Sequence, residues 1–319
     1  MRIPGGCGPL LMASGAILGL AWPDLAALGR TLFPVALLAL AFTAFLRVSP
    51  AELLAAVGAR WRHMLLVLTW TTLGAPTAVA AAIHAAGLSA DVAAAAVLAA
   101  AGPPSLGAVG VAIILRLDPV LPAVAALLGT VLAPVTVPVL SLVVLGAQPA
   151  VDPGMMALRL LGIVGSAAAL AAVARRTSPR FAANPAVTAN LAAFTLTVFA
   201  IGGMVGLREQ AVAHPAQLAL LAGVALACNA GALLAGALLF ARLGAPRALA
   251  IGVVSGSRNV SMQWTALGAA AVGPIATYFA LCLVLHTLLP LLLQAVLPGV
   301  KAALAVARRL RPHEPVEVR

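Results

Sequence analysis

The sequence predicts an all-α polytopic membrane protein with ten transmembrane helices. Of its 319 residues, 63% are hydrophobic and only 8% are charged, and the mean hydropathy is +1.12. A soluble domain of ordinary composition carries about a quarter charged residues. The apolar residues also fall into ten stretches, most of them close to the ~20 residues that a helix needs to cross a bilayer. Composition and spacing together exclude a soluble fold.

The ten predicted spans are separated by short loops. They lie near residues 7–22, 29–47, 63–85, 90–115, 119–146, 155–174, 187–207, 216–241, 246–272 and 274–298. The apolar run at residues 10–22 is not followed by a small-x-small cleavage site, so we interpret it as the first span rather than as a secretory signal. Spans four and nine are interrupted by small, polar and proline residues.

The basic residues of the chain predict its orientation. Ten spans place both termini on one side, which then carries fifteen of the nineteen Lys and Arg residues. The other side has only Arg30, Arg159 and Arg208, and Arg258 lies inside span nine. The positive-inside rule therefore predicts cytoplasmic termini. A single Lys among many Arg and Ala residues points to a bacterium, and hence to its plasma (inner) membrane. The net charge of +11 is spread over short loops, so no nucleic-acid partner is expected.

Spans four and nine contain corresponding breaks, which indicate an internal repeat. The first break is Gly102-Pro103-Pro104-Ser105 and the second is Gly256-Ser257-Arg258-Asn259. A proline opens the span after each break and another lies inside that span: Pro119 and Pro134, and Pro274 and Pro290. A five-helix unit repeated in tandem must be inverted in the membrane. We therefore predict two inverted five-helix repeats, residues 1–150 and 151–300, followed by a basic cytoplasmic tail at 301–319.

Paired breaks of this kind point to a transporter binding site. Pro103 and Pro104 lack amide hydrogens and interrupt the helical ladder. Unwound backbone at membrane depth must be buried in protein or face water. Arg258 is a permanent charge in the second break and costs at least ~3 kcal/mol on insertion scales. The alternative is a pair of kinks that only shape the helix bundle.

These breaks resemble the bile acid:sodium symporter family, within the bile acid/arsenite/riboflavin transporter group. Pro103 matches the proline of the family's motif in span four, and Arg116 and Asp118 match a basic and an acidic residue before span five. Residues 130–134 (Thr-Val-Leu-Ala-Pro) are similar to a motif in the family's span five. The resemblance implies that broken helices 4 and 9 cross in a core domain. It also implies a panel domain beside the core, with both repeats contributing to each, and alternating access through motion between the two.

The chain departs from the family at the sodium sites. In the family, Ser and Asn in span four and Glu and Gln in span nine surround two sodium ions. The corresponding residues here are Ala108, Val109, Val254 and Arg258. None of these side chains offers sodium an oxygen ligand, and no acidic residue lies within a predicted span core. The sequence therefore predicts that sodium coupling is lost or greatly weakened, and no metal or other cofactor is expected.

The candidate substrate-binding residues lie in or near the breaks. They are Arg258, Asn259, Ser257, Ser255, Ser105, Pro103, Pro104, Thr130 and His286. Arg258 is either a counter-charge for an anionic substrate or a built-in substitute for sodium on the carbonyls of the half-helices, and both roles stay open. His286 is either a proton carrier or a histidine satisfied within the bundle. Ser and Asn in membrane helices also serve as interhelical hydrogen-bond partners.

The predicted function is secondary transport of a small organic solute, anionic or amphipathic, across the bacterial membrane. The coupling ion would be a proton rather than sodium, or transport would be facilitated. Two alternatives keep the same fold: an export permease without cation coupling, and a membrane receptor or scaffold that binds without transporting. The chain has no catalytic motif for lipid or phosphate chemistry, so an enzyme is not expected. Membrane lipid is the other expected partner.

Overall fold

The computed structural model describes residues 7–48, 50–59, 61–118, 120–145 and 152–309, and their regular structure is helical throughout. The helices of the first half of the chain are α1 (Cys7–Ala21), α2 (Pro23–Thr31), α3 (Phe33–Arg47), α4 (Pro50–Ala59), α5 (Trp61–Thr69), α6 (Ala75–Ala85), α7 (Ala90–Ala101), α8 (Leu106–Ile114) and α9 (Val120–Leu145). Those of the second half are α10 (Pro153–Thr177), α11 (Pro179–Ala182), α12 (Pro185–Gly202), α13 (Leu207–Ala213), α14 (Pro215–Leu239), α15 (Ala245–Gly256), α16 (Val260–Leu267) and α17 (Gly273–Arg309). A π-helical turn, Trp70–Gly74, joins α5 to α6.

The helices make the chain a multi-pass membrane protein. Among the described residues, five helical segments are long and apolar enough to cross a bilayer: Trp61–Ala85, Val120–Val143, Pro153–Thr177, Pro185–Ala213 and Pro215–Leu239. A sixth is added if Leu10–Ala21 and Pro23–Thr31, which meet at an angle of 119°, form one span. The all-α prediction is thus confirmed. A helix lies in each of the ten predicted segments, but the count of ten membrane passes stays a prediction.

Helix α17 extends into the segment assigned to the cytoplasmic tail, whose location stays a prediction. Helix α17 continues through Arg309, so the first residues assigned to the tail are helical. Residues 310–319 lie outside the described part of the chain, as does Pro119, the proline that opens the predicted fifth span.

The helices pack in two groups, which meet directly where α9 contacts α10. The first helix group comprises α1, α2, α3, α10 and α12, which contact one another. The second helix group comprises α6, α7, α9, α14, α15 and α17, joined by contacts such as α14 with α15 and α7 with α17. Each group takes helices from both halves of the chain. Helix α16 lies between the groups, because it contacts α3 and α10 as well as α7 and α17.

The two predicted breaks cross each other. The amide of Ser105 donates to the carbonyl of Ser257 at 2.8 Å, and the amide of Asn259 donates to the carbonyl of Pro103 at 2.9 Å. Pro104 and Arg258 thereby form an isolated antiparallel bridge. Backbone groups that the prolines release from one helix are satisfied by the other break, as buried backbone requires.

Each half-helix beyond the crossing begins at a side-chain cap. Ser105 Oγ accepts a hydrogen bond from the amide of Gly107 at 3.2 Å, at the start of α8. Asn259 Oδ1 accepts one from the amide of Met262 at 3.2 Å, at the start of α16. Ser and Asn are favoured at this position because their oxygens satisfy amides that lack an intrahelical partner. Two short helices therefore start at the crossing.

Glycines bring α15 against α14 next to the crossing. A Cβ placed on Gly256 would press into the backbone carbonyl of Asn229 and would lie 2.9 Å from Cβ of Leu233. A Cβ on Gly252 would lie 3.0 Å from Cβ of Ala237. Gly252 and Gly256, four residues apart on α15, therefore allow the close approach of α14.

We expect Gly256→Ala to lower the free energy of unfolding by about 1–3 kcal/mol, the usual cost of overpacking a tight contact. Gly231→Ala, on α14, is the matched control, because nothing lies within 4 Å of a Cβ at that position. The control should be neutral or slightly stabilising, since alanine favours a helix over glycine by roughly 0.5–1 kcal/mol. Thermal unfolding in detergent measures both variants. Equal stability of the two variants would contradict the packing described here.

Candidate functional site

A cavity of about 160 Å³ lies beside the crossing, between the two helix groups. Its apolar wall includes Met12, Leu40, Phe199 and Leu283. The volume is close to the ~150 Å³ of a cavity known to bind benzene. In this conformation the central cavity therefore accommodates a ligand of roughly that size, and a steroid such as a bile acid does not fit.

Five of the nine predicted substrate-binding residues line the central cavity. They are Ser105, Ser257, Arg258, Asn259 and His286. The breaks supply the first four, and α17 supplies His286. The structure thus brings together residues that are up to 181 positions apart in the sequence, from Ser105 to His286.

Three of these residues have a buried polar atom without a hydrogen-bond partner: Ser257 Oγ, Arg258 Nη2 and His286 Nε2. Ser257 is 2% exposed and Arg258 is 5% exposed. The His286 ring also hydrogen-bonds the backbone of Gly256. An unsatisfied buried polar atom costs about 1–3 kcal/mol. Three of them around one cavity favour a ligand that carries a polar group.

The starts of α8 and α16 give the central cavity a positive potential. Ser105, Gly107 and Ala108 line it from α8, and Asn259 and Val260 line it from α16. A helix N-terminus is equivalent to about half a positive charge and presents free amides. The described residues around the cavity include no carboxylate that would neutralise this potential. The arrangement therefore favours an anionic group over a cationic one.

The Arg258 guanidinium contacts the C-terminal end of α7 and the π-helical turn between α5 and α6. Nη1 donates to the carbonyl of Thr71 at 2.5 Å and, less closely, to that of Gly102 at 3.4 Å. Gly102 is the C-cap of α7, where the helix presents about half a negative charge. Thr71 belongs to the π-helical turn, a local widening that is frequent at functional sites. Arg258 is thus a fixed cation on backbone carbonyls, with Nη2 still available.

The residues at the family's sodium positions do not fit a sodium ion. Ala108 and Val254 belong to one buried apolar cluster, together with Val111, Ala112 and Val253. Their side chains carry no oxygen, and sodium prefers several oxygen ligands. The positive charge in this region comes from Arg258 itself.

The other four predicted residues lie outside the central cavity. Ser255 Oγ donates to the carbonyl of Ile251 at 2.7 Å and accepts from Trp70 Nε1 at 3.0 Å. Thr130 is 2% exposed and donates to the carbonyl of Ala126 at 2.8 Å. Pro103 and Pro104 are buried within the crossing. These four residues therefore do not line the cavity and belong to the packed structure around it.

Two arginines that the sequence suggested only as loop charges hold α16. The Arg30 guanidinium carbon lies 3.4 Å from the ring centroid of Trp264. Arg159 Nη1 donates to the carbonyl of Ala266 at 3.0 Å. We call these two contacts the α16 clamp. The sequence contained one signal for this clamp. Arg30 and Arg159 are two of the three basic residues on the predicted non-cytoplasmic side of the membrane.

No protein-family model matches the chain, and no curated protein matches its sequence. The function is therefore inferred from the residues and geometry of the central cavity.

Proposed function

We propose that the chain is a secondary transporter that binds a small organic anion in the central cavity. The observation that carries the proposal is the cavity itself, an apolar pocket lined by two helix N-termini and by three residues that each have a buried polar atom without a partner. Polar groups at the midpoint of paired broken helices are the common site design of secondary transporters. The resemblance to the bile acid:sodium symporter family agrees with this assignment.

The ligand would be held at two ends. Its anionic group accepts hydrogen bonds from Ser257 Oγ and Arg258 Nη2, next to the positive end of α16. Hydrogen bonds to a charged group are roughly twice as strong as neutral ones. Its apolar body packs against Phe199 and Leu283. Small aromatic or short-chain carboxylates and sulfonates have this combination of charge, shape and size.

Transport would follow from movement between the two helix groups. The proposed topology has ten transmembrane helices in two inverted repeats, with both termini in the cytoplasm of a bacterium. The crossing of the breaks and the helix in each of the ten segments support this topology. The central cavity lies between the groups, so relative motion of the groups would change which side of the membrane it faces.

Coupling to sodium is not part of the proposal. Arg258 places a permanent charge on the C-terminal end of α7, the role that a bound cation has in the resembling family. A cation that is covalently attached cannot be driven by a gradient. His286, which lines the same cavity and whose buried Nε2 has no partner, is the residue able to carry a coupled proton. Without proton coupling, transport would be facilitated.

Two alternatives are consistent with the same cavity. A receptor or scaffold would bind the anion without moving it, and an export permease would move it outward without a coupled cation. Uptake of radiolabelled benzoate into proteoliposomes separates a transporter from a receptor, because only a transporter accumulates label. Imposed proton and sodium gradients then identify the coupling ion, and the direction of the response separates import from export.

Filling the cavity tests the binding site. Gly110 lines it, and nothing lies within 4 Å of a Cβ at that position, so Gly110→Leu can be accommodated. We expect benzoate to raise the melting temperature of the native protein by mass action and neutral benzyl alcohol to have no such effect. Gly110→Leu should weaken benzoate binding by about tenfold or more, or ~1.4 kcal/mol.

Gly165→Leu on α10 is the matched control, because its position is also open and does not line the cavity. It should bind benzoate like the native protein. Benzoate binding that is unchanged in Gly110→Leu would place the anion elsewhere and remove the basis of the proposed function.

A further inference from the structure

A second apolar depression, which shares no lining residue with the central cavity, lies between α3 and α10. It has a volume of about 530 Å³ and is lined by Leu38 and Phe42 of α3, Leu170 and Val173 of α10, and Phe181 of α11. Leu170, Val173 and Phe181 are 48%, 55% and 43% exposed. We call it the α3/α10 groove. In a membrane protein such a face meets lipid chains.

One end of the groove is strongly basic. Arg175 donates a hydrogen bond to the carbonyl of Phe45, so the C-terminal ends of α3 and α10 lie together. Arg47 ends α3, Arg175 and Arg176 lie in the last turn of α10, and Arg180 lies in α11. Helix residues 33–47 and 153–202 contain no acidic residue.

Helix ends alone do not explain this number of arginines. Two helix C-termini supply about one negative charge between them, which leaves a net charge of about +3 from four arginines. Arg175 is engaged with α3, whereas Arg176 and Arg180 are exposed. The groove also ends at two hydroxyl side chains, Thr177 and Ser178, beside these arginines. An apolar channel that ends in unneutralised basic residues and hydroxyls matches a lipid chain with an anionic head.

We propose that the α3/α10 groove binds an anionic phospholipid. One acyl chain lies along Leu38, Leu170 and Val173, and the phosphate accepts hydrogen bonds from Arg176, Arg180 and Ser178. Basic pockets between membrane helices commonly bind anionic head groups, and each Arg near a membrane surface contributes about fivefold to binding. The lipid would join the ends of α3 and α10, two helices of the first helix group, and so reinforce the group that holds α16.

Lipid titration of the purified full-length chain in a non-ionic detergent tests the proposal. Phosphatidylglycerol and phosphatidylcholine with identical chains are compared by native mass spectrometry and by the shift in melting temperature. Two exposed arginines contribute about fivefold each. We therefore expect phosphatidylglycerol to bind at least about twentyfold more tightly, and Arg176→Gln with Arg180→Gln to remove this preference.

The matched control changes two exposed arginines elsewhere, Arg62→Gln and Arg208→Gln, and should keep the preference. Ala174→Phe, which fills the apolar part of the groove, should weaken phosphatidylglycerol binding, whereas Gly165→Phe on the same helix should not. Three results would overturn the proposal: equal binding of the two lipids, a preference that survives the Arg176 and Arg180 changes, or equal stabilisation by inorganic phosphate.

Discussion

Replacing Arg258 with glutamine is expected to destabilise the protein and to make its stability depend on sodium. The guanidinium donates to the carbonyls of Thr71 and Gly102, and a glutamine side chain is too short to replace both bonds. A hydrogen bond from a charged group contributes about 1.5–3 kcal/mol, and the second bond is long, so we expect a loss of about 2–4 kcal/mol. The vacated carbonyls at the end of α7 would then be free to accept a sodium ion from solution.

Unfolding in detergent with equal concentrations of sodium or potassium measures both effects. The native protein should have the same melting temperature in the two salts. Arg258→Gln should have a lower melting temperature than the native protein in both salts, and its melting temperature should be higher in sodium than in potassium. Arg208→Gln, an exposed arginine away from the crossing, is the control and should behave like the native protein. A variant that keeps its stability but loses benzoate binding would show that Arg258 serves only as a ligand for the substrate.

The breaks could be predicted from the sequence because their cause is local. Pro103 and Pro104 remove amide donors, and Gly256-Ser257-Arg258-Asn259 interrupts an apolar run, so neither segment can continue as a lipid-facing helix. The resemblance to the bile acid:sodium symporter family implied that the two breaks cross, and the bridge between Pro104 and Arg258 shows that they do. Ser105 and Asn259, two of the predicted polar site residues, are also the N-caps of α8 and α16.

The partners of Arg258 could not be predicted from the sequence. Pro76 has no amide hydrogen, so it leaves the carbonyl of Thr71 without a partner in the π-helical turn. The sequence near this turn does not indicate that Arg258 is the residue that reaches the carbonyl. The same limit applies to Thr130, whose match to a motif suggested the cavity but whose hydroxyl bonds its own helix. Both outcomes depend on tertiary packing rather than on local preference.

The number of membrane passes is harder to read from helix length because the breaks shorten the helices. Spans four and nine become α7 and α8, and α15 and α16, with 12, 9, 12 and 8 residues. Each is well below the ~20 residues of an uninterrupted span. Helix length alone therefore does not identify a broken span, although the break is the sequence feature that predicts the site.

The crossing separates the two kinds of helix end. The N-termini of α8 and α16 face the central cavity, whereas the C-terminal end of α7 faces the guanidinium of Arg258. The two N-termini attract an anion, whereas the C-terminal end of α7 is neutralised by the guanidinium of Arg258. This arrangement explains how an arginine is tolerated at this depth, and why an anion site can exist beside it without a bound cation.

The α16 clamp is expected to hold the proposed transporter closed on the side away from the central cavity. The start of α16 lines the cavity, whereas Arg30 and Arg159 contact Trp264 and Ala266 near its other end. Both arginines come from the first helix group, so movement of α16 away from that group must break both contacts. Arg30 is half-buried, so its cation–π contact contributes about 1 kcal/mol. Arg159 is exposed, so its hydrogen bond also contributes about 1 kcal/mol.

Changing both arginines to methionine should therefore shift the equilibrium toward opening at this end by about 2 kcal/mol, or roughly thirtyfold. The readout is the labelling rate of a cysteine placed at Ala266, which is fully buried, with the native cysteines replaced by alanine. Arg30→Met and Arg159→Met together should accelerate labelling by a water-soluble maleimide, whereas Arg208→Met should leave the rate unchanged. Benzoate binding from the cavity side should persist, because neither arginine lines the cavity. Labelling that stays slow in the double variant would mean that the two contacts only pack α16, and that the closed side is held by the aromatic ring cluster of Phe33, Trp264 and Phe279 instead.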